Sequence, residues 1–381
     1  MPISPLGPLR NSGRAGLLAM LTASFMLAGC AGRPGPETLA TVPAEAFKPT
    51  KVETVLTVTT RNRAEPGKNV FTAEKSSVSN YARFDISIPP NHKPTAIEWP
   101  KGSKVDPRTD FAVLSQAALE RKSFIDEVRS RSSQGKRPGV FVHGYNYNFQ
   151  EALYRLAQLK TDANIDGTPV LFSWPSFAAI PAYVADKDAA TYSRDALVSL
   201  LSDLVAAERG EVDVFAHSMG GWLTVEALRQ LKLEGRQDVL DRLRVILAAP
   251  DIDEDVFVAQ MRVVGRMKTP ITVLVAPDDR ALLVSRFLGA GTQRVGSLDV
   301  TNQSVADVAR ETNVVIIDIS SLPAADQTNH NRFVDARVLA NALGQPASAA
   351  RLGDAGAFVF DAAAQTISSP FSLAATVLRG Q

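Results

Sequence analysis

The sequence predicts an α/β fold in which a mostly parallel sheet is covered by helices on both faces. Three observations predict it. Short, largely apolar runs recur at residues 138–142, 169–172, 212–216, 245–248, 271–275 and 314–319. Stretches with helical spacing lie between them. Most runs end abruptly, at His143-Gly144, Trp174-Pro175, Ala249-Pro250 and Ala276-Pro277. A strand buried on both faces needs no polar alternation, and parallel neighbours need a crossover that is usually helical.

Taken in order, residues 52–60 (VETVLTVTT) are β-branched and strand-like. Residues 81–88 place Phe84, Ile86 and Ile88 on one face of a second strand. Residues 89–107 carry five prolines and read as extended or looped. Residues 111–129 show helical spacing at Phe111, Leu114, Ala118, Phe124 and Val128. Further helices are expected at 149–159, at 189–207 as one long element, at 221–231, and at 333–343. The tail, residues 345–381, has no firm periodicity and is expected to be partly disordered. These elements bound one domain over residues 51–344.

Composition sets wide limits. Of 381 residues, 45% are hydrophobic and 21% charged, an ordinary globular balance. With 41 basic and 40 acidic residues there is no basic excess to suggest a nucleic-acid partner. No phosphate-cradling glycine loop and no histidine–carboxylate spacing of a metal site occurs, so neither cofactor nor metal is expected.

The first 29 residues depart from that average. They hold Arg10 and Arg14 but no acid, and an apolar stretch runs from Ala15 to Ala28. Its length suits a signal peptide rather than a membrane span. It ends in Leu27-Ala28-Gly29-Cys30, a lipobox pattern in which Cys30 would be lipidated and become the new N-terminus. Cys30 is the single cysteine of the chain, which excludes an internal disulfide, a catalytic thiol and a thiolate metal site. Residues 30–50, rich in Pro, Ala and Gly, read as a tether. An exported envelope protein, lipid-anchored in the membrane through Cys30, is therefore expected. Ala31 points to the periplasmic face of the outer membrane if the source is Gram-negative.

The chemistry centres on Ala216-His217-Ser218-Met219-Gly220. A nucleophilic serine on a strained strand-to-helix turn needs small residues two before and two after it, and Ala216 and Gly220 satisfy that. The alternative is a serine that merely caps a helix. A general base of near-neutral pKa must serve Ser218, and there are four histidines. His92 lies in the proline-rich region and reads as a surface residue. The side chain of His217 is expected to point away from that of Ser218. His143 falls where an oxyanion loop belongs. His330 follows the last strand, the place of the base when the order is Ser, acid, His. For the acid, Asp278 and Asp279 follow the second strand after the nucleophile. Asp279 is favoured with Asp278 as the alternative, spacing does not decide between them, and the other aspartate is expected to cap the helix beginning near Ala281. Asp251 and Asp253 are weaker candidates. Two backbone N–H groups must bind the oxyanion: Met219, after the nucleophile, and Tyr145, in the loop at His143-Gly144.

Several of these stretches together resemble the bacterial α/β-hydrolase family of unknown function that carries an HGYN-type oxyanion loop. They are Phe141-Val142-His143-Gly144-Tyr145-Asn146, Phe172-Ser173-Trp174-Pro175-Ser176, the Ser218 elbow, Asp279-Arg280-Ala281-Leu282 and the His330 region. The strand end Val58-Thr59-Thr60-Arg61 and the turn Ile88-Pro89-Pro90 are also similar to that family. The resemblance implies an α/β-hydrolase fold and supports Asp279 over Asp278. Asn331-Arg332 departs from it, where an aromatic or small residue is expected. The reading is a serine hydrolase, lipase- or esterase-like, acting on a small-molecule or lipid-like acyl substrate. A non-catalytic envelope lipoprotein and an acyltransferase are the competing readings. Residues 176–184 (SFAAIPAYV) would either line an acyl pocket or tuck against the core, and Trp174 reads as a core residue.

Overall fold

The computed structural model describes residues 33–335, except 45–46, 101–103, 133–136, 166, 208–209 and 289–290, together with 358–361 and 366–368. Its central strands are the apolar runs: β4 (Pro138–Val142), β5 (Thr168–Ser173), β6 (Val212–His217), β7 (Leu243–Ala248), β8 (Ile271–Val275) and β9 (Val314–Asp318). They join β1 (Lys51–Arg63), β2 (Phe71–Ile88) and β3 (Ala112–Leu119) on one side and β10 (Phe358–Asp361) and β11 (Thr366–Ser368) on the other. One sheet results, in the order β11-β10-β9-β8-β7-β6-β4-β5-β1-β2-β3. From β1 through β5, β4, β6, β7 and β8 to β9 every neighbouring pair is parallel. The outer pairs β1–β2, β2–β3, β9–β10 and β10–β11 are antiparallel.

The side-chain period of two splits each strand between two cores. Val140, Val142, Val214 and Ala216 face the layer of α1 (Arg121–Ser132), α4 (Arg194–Ala207), α5 (Met219–Leu233) and α6 (Glu254–Val264). Phe141, Leu171 and Phe215 face the layer of α2 (Phe149–Asp162), whose Phe149, Leu153, Leu156 and Leu159 are buried there. Both faces are thus covered, as the largely apolar runs require. Internal contacts separate Met1–Gly35 from a unit spanning Pro36–Gln381, which holds every described strand and helix.

Several elements differ from expectation. The helical spacing over 111–129 divides into β3 and then α1. Residues with Phe111, Leu114 and Ala118 spacing fit either structure, and edge pairing with β2, from Tyr81↔Leu119 to Ser87↔Ala112, decides for strand. The long helix over 189–207 is two: α3 (Tyr183–Tyr192) and α4, divided at buried Ser193, whose hydroxyl is 2.7 Å from that of Thr60. The tether reading fails over part of its length. Pro36–Leu39 form a 3₁₀ turn with Leu39 buried, Tyr154 donates to the Thr38 carbonyl at 2.5 Å, and Val42 N donates to the Val113 carbonyl at 2.8 Å. In the tail, β10 and β11 extend the sheet beyond β9. The expected helix at 333–343 begins as a 3₁₀ turn, Arg332–Val334, and from 336 onward lies outside the described residues, as does Cys30.

Candidate active site

Strand order locates the site. After β4 the chain crosses to β5 on one side, and after β6 it crosses to β7 on the other. Diverging connections leave a crevice at the carboxyl ends of β4 and β6. Gly144 and Ser218 meet there: a Cβ placed on Gly144 would lie 3.0 Å from Ser218 Cβ.

Ser218 has φ 52° and ψ −121°, a backbone conformation that non-glycine residues rarely adopt. Its side chain makes no capping hydrogen bond to α5, so the capping alternative does not hold. The turn is pinned by backbone bonds instead. Ser218 N donates to the Ala248 carbonyl at 2.9 Å, while Gly221 N and Asp251 N donate to the Ser218 carbonyl at 2.9 and 3.2 Å. Gly220 is required by contact: a Cβ there would lie 2.4 Å from the Val142 carbonyl oxygen and 2.5 Å from that of His143. Met219, first residue of α5, presents an N–H that no intrahelical acceptor can take.

His330 reaches this turn from the segment after β9. Its ring centroid is 4.6 Å from that of His217, and its Nδ1 is 2.6 Å from Asp279 Oδ2. Burial pulls the His330 pKa down. The hydrogen bond and charge of Asp279, with the charges of Asp251 and Asp326, outweigh it, and the net shift is upward. Asp279 is fully buried, and its other oxygen accepts from Leu282 N at 3.0 Å, capping α7 (Arg280–Leu288). One carboxylate thus makes both contacts, to His330 and to the start of α7, that were expected of two separate aspartates. Asp278 turns away and is held by Arg332 at 2.6 and 2.8 Å and by Asn329 at 2.9 Å. The arginine that departs from the expected pattern after His330 thus has a partner. Asp253 caps α6 through Val256 N at 3.1 Å.

The family model for alpha/beta hydrolases of unknown function (DUF900) matches residues 116–345. The chain belongs to this family. No curated protein matches it. Among solved structures, Aspergillus fumigatus lipase B is 18% identical over 38% of each chain, with a TM-score of 0.28. ESTFA, in an Fe-lacking apo form, is 11% identical over 81% of this chain and 82% of its own, at 0.31. A Pyrobaculum calidifontis esterase is 13% identical over 80% and 98%, at 0.24.

In this hydrolase the loop after β4 is held by residues to which the sequence assigned no role. Arg61, at the end of β1, is buried. It donates to Ser173 Oγ at 3.1 Å and to the carbonyls of Tyr147 and Ser176, each at 3.0 Å. Burial lowers its pKa to about 9, against the opposing charges of Asp186 and Glu151, so it remains cationic at neutral pH. Asp186 in turn accepts from Ser176 Oγ at 2.6 Å and Phe177 N at 2.7 Å. Arg61 thereby ties the loops after β4 and β5 together. A single arginine on a β-branched strand gives no local sign of this, because its partners lie as far as 115 residues away.

His143 supports the same loop. Its Nδ1 is 2.9 Å from the Gly144 carbonyl, which can only accept, so Nδ1 carries the proton and Nε2 accepts from Ser173 Oγ at 3.2 Å. Burial, then the charge of Arg61, lowers its pKa to about 3. The ring stacks on buried Trp174 at 4.9 Å, and Trp174 Nε1 donates to the His143 carbonyl at 2.8 Å. His217 is buried between His330 and Phe333, whose ring is 4.2 Å away, and neither ring nitrogen makes a well-formed hydrogen bond. Burial and His330 drive its pKa well down, leaving it a neutral ring packed against His330.

Two expectations about other residues change. His92 is not a free surface residue: its nitrogens bridge Glu98 and Asp162, each at 2.7 Å. Asp251 is buried, 3.3 Å from Arg294 Nε, and accepts from the hydroxyls of Tyr183, at 2.8 Å, and Ser285. The Tyr145 hydroxyl donates to the carbonyls of Ala179 and Ile180, latching the 176–184 loop beside the crevice. Of that loop, Ser176 is buried, whereas Phe177 and Ile180 face solvent rather than the core. A narrow apolar cleft between Leu156, Ile165 and Phe215 lies at the amino ends of the strands, away from the crevice. Among the described residues, no group of three or more His, Cys, Asp or Glu is placed to hold a metal ion. No described helix is long and apolar enough to cross a membrane.

Proposed function

We propose that this hydrolase cleaves a carboxylic ester, thioester or amide through an acyl-enzyme on Ser218, with an ester as the favoured substrate. The observation that carries this is the pairing of an uncapped serine on a strained elbow with a histidine held 2.6 Å from a fully buried aspartate. His330 Nε2 takes the Ser218 proton as Oγ adds to the acyl carbon. The N–H groups of Met219 and Tyr145 bind the oxyanion. Collapse breaks the bond to the alcohol, which leaves with the proton from His330. Water then adds with His330 as base, the acid departs, and Ser218 recovers its proton. Asp279 keeps the imidazole in the tautomer with Nδ1 protonated and stabilises the imidazolium.

The test is covalent labelling of the full chain by a fluorophosphonate. Labelling is expected in the native protein and absent in Ser218→Ala with an unchanged melting temperature. Labelling that survives the substitution overturns the reading. The lipobox at residues 27–30 further supports an enzyme anchored in the cell envelope through Cys30. Radiolabelled palmitate should be incorporated by the native chain and not by Cys30→Ser.

A further inference from the structure

Among the described residues, most exposed large apolar side chains fall in two short segments. Phe177, Ile180 and Val184 are 51, 77 and 73% exposed, and on α7 Val284, Phe287 and Leu288 are 60, 84 and 57% exposed. The segments are joined: the Tyr183 and Ser285 hydroxyls lie 2.9 Å apart and both bond to Asp251. They also flank the candidate site. Asp279 caps α7, Tyr145 holds the Ile180 carbonyl, and Asp251 N bonds the Ser218 carbonyl.

The charge of this face selects its occupant. Residues 176–184 carry no charge, and α7 carries Arg280 and Arg286 and no acid. Both arginines are exposed, and among the described residues neither forms an ion pair with a carboxylate. A second copy of the chain would bring the same arginines to a self-complementary contact in which neither segment supplies an acid, the adjacent Asp278 being held by Arg332. An anionic bilayer offers both what the apolar side chains need and what the arginines need.

We propose that this face docks on an anionic phospholipid bilayer and turns the Ser218 crevice toward membrane acyl lipids. The docking stands on the surface alone, whereas the choice of acyl lipid as substrate rests on the hydrolase reading of Ser218.

The chain has one cysteine, so the full-length Cys30→Ser protein accepts a single new label. An environment-sensitive nitrobenzoxadiazole is attached in Phe287→Cys and, as reference, in Val78→Cys on β2, a site 67% exposed. Vesicles are phosphatidylcholine with or without phosphatidylglycerol, with nitroxide on the lipid acyl chains for quenching. At position 287 the label should brighten with anionic vesicles, lose most of its fluorescence to the nitroxide, and return to baseline in high salt or with Arg280→Glu and Arg286→Glu. At position 78 it should not respond. No quenching at 287, equal quenching at both positions, or brightening that follows protein concentration without vesicles overturns the proposal. Fluorophosphonate labelling of the same samples separates the two readings. Labelled Ser218 without quenching removes only the docking. Quenching without labelling removes the hydrolase reading and leaves the docking.

Discussion

Asp279 holds His330 with one carboxylate oxygen, Oδ2 to Nδ1 at 2.6 Å, and caps α7 with the other, through Leu282 N at 3.0 Å. The neighbouring Asp278 makes neither contact and is bound by Arg332 instead, whose hydrogen bond holds its pKa below the ordinary value. This division separates two adjacent aspartates by experiment. Asp279→Asn should lower kcat by about 10³- to 10⁴-fold, because an amide no longer selects the productive tautomer. Asparagine still caps a helix, so the loss of stability should be small. Asp278→Asn should leave kcat within a few-fold. Steady-state hydrolysis of a short-chain nitrophenyl ester distinguishes the two.

The pH dependence follows from the same pair. In the proposed reaction His330 must be neutral to act as base, and its pKa lies above its ordinary 6.5. The acid limb of kcat/KM should therefore have its midpoint above 6.5, with the rate rising as His330 loses its proton. In Asp279→Asn, burial acts without the opposing carboxylate, and the midpoint should move down. Stability has the reverse sign. A pKa raised on folding contributes stability that is complete below the unfolded value and is lost as pH rises through the folded one. Denaturant midpoints taken across that range measure it.

Two glycines should fail differently. A Cβ on Gly144 would lie 2.8 Å from His217 Nδ1 and 3.0 Å from Ser218 Cβ, so Gly144→Ala displaces the loop expected to bind the oxyanion. Its kcat/KM should fall about 10²-fold or more, the cost of one misplaced oxyanion donor, with a small change in melting temperature. Gly220→Ala drives a methyl into two backbone carbonyls and should destabilise the fold by about 1–3 kcal/mol. Thermal melts followed by circular dichroism, beside ester hydrolysis, separate the two effects.

Arg61→Met removes a buried cation, strands the carbonyls of Tyr147 and Ser176, and takes the compensating positive charge away from Asp186. The expected loss is about 3–5 kcal/mol, as for other broken buried charge networks. Arg61→Lys should restore little, since an ammonium cannot span partners arranged for a planar fork. Urea unfolding of the three proteins gives the comparison.

The central strands and the elbow were legible in the sequence because their signals are local. An apolar run bounded by breaks needs no distant partner to declare itself, and the small residues at Ala216 and Gly220 answer a steric demand of the turn. β3 was not legible, because its apolar spacing fits a helix as well and edge pairing with β2 decides. Likewise nothing local marks His92 as the bridge between Glu98 and Asp162.

The sequence by itself therefore determined the order of the layers, the position of Ser218, and the short set of histidines and aspartates from which its partners would come. Only the tertiary structure decided which of them meet, His330 with Asp279. Adjacent aspartates share the same spacing, so the turn after β8 had to place one inward against His330 and the other outward against Arg332. Arg61 shows the same limit. Its partners come from loops far along the chain, and burial of an arginine among their carbonyls is a property of the folded contact, which no local pattern encodes.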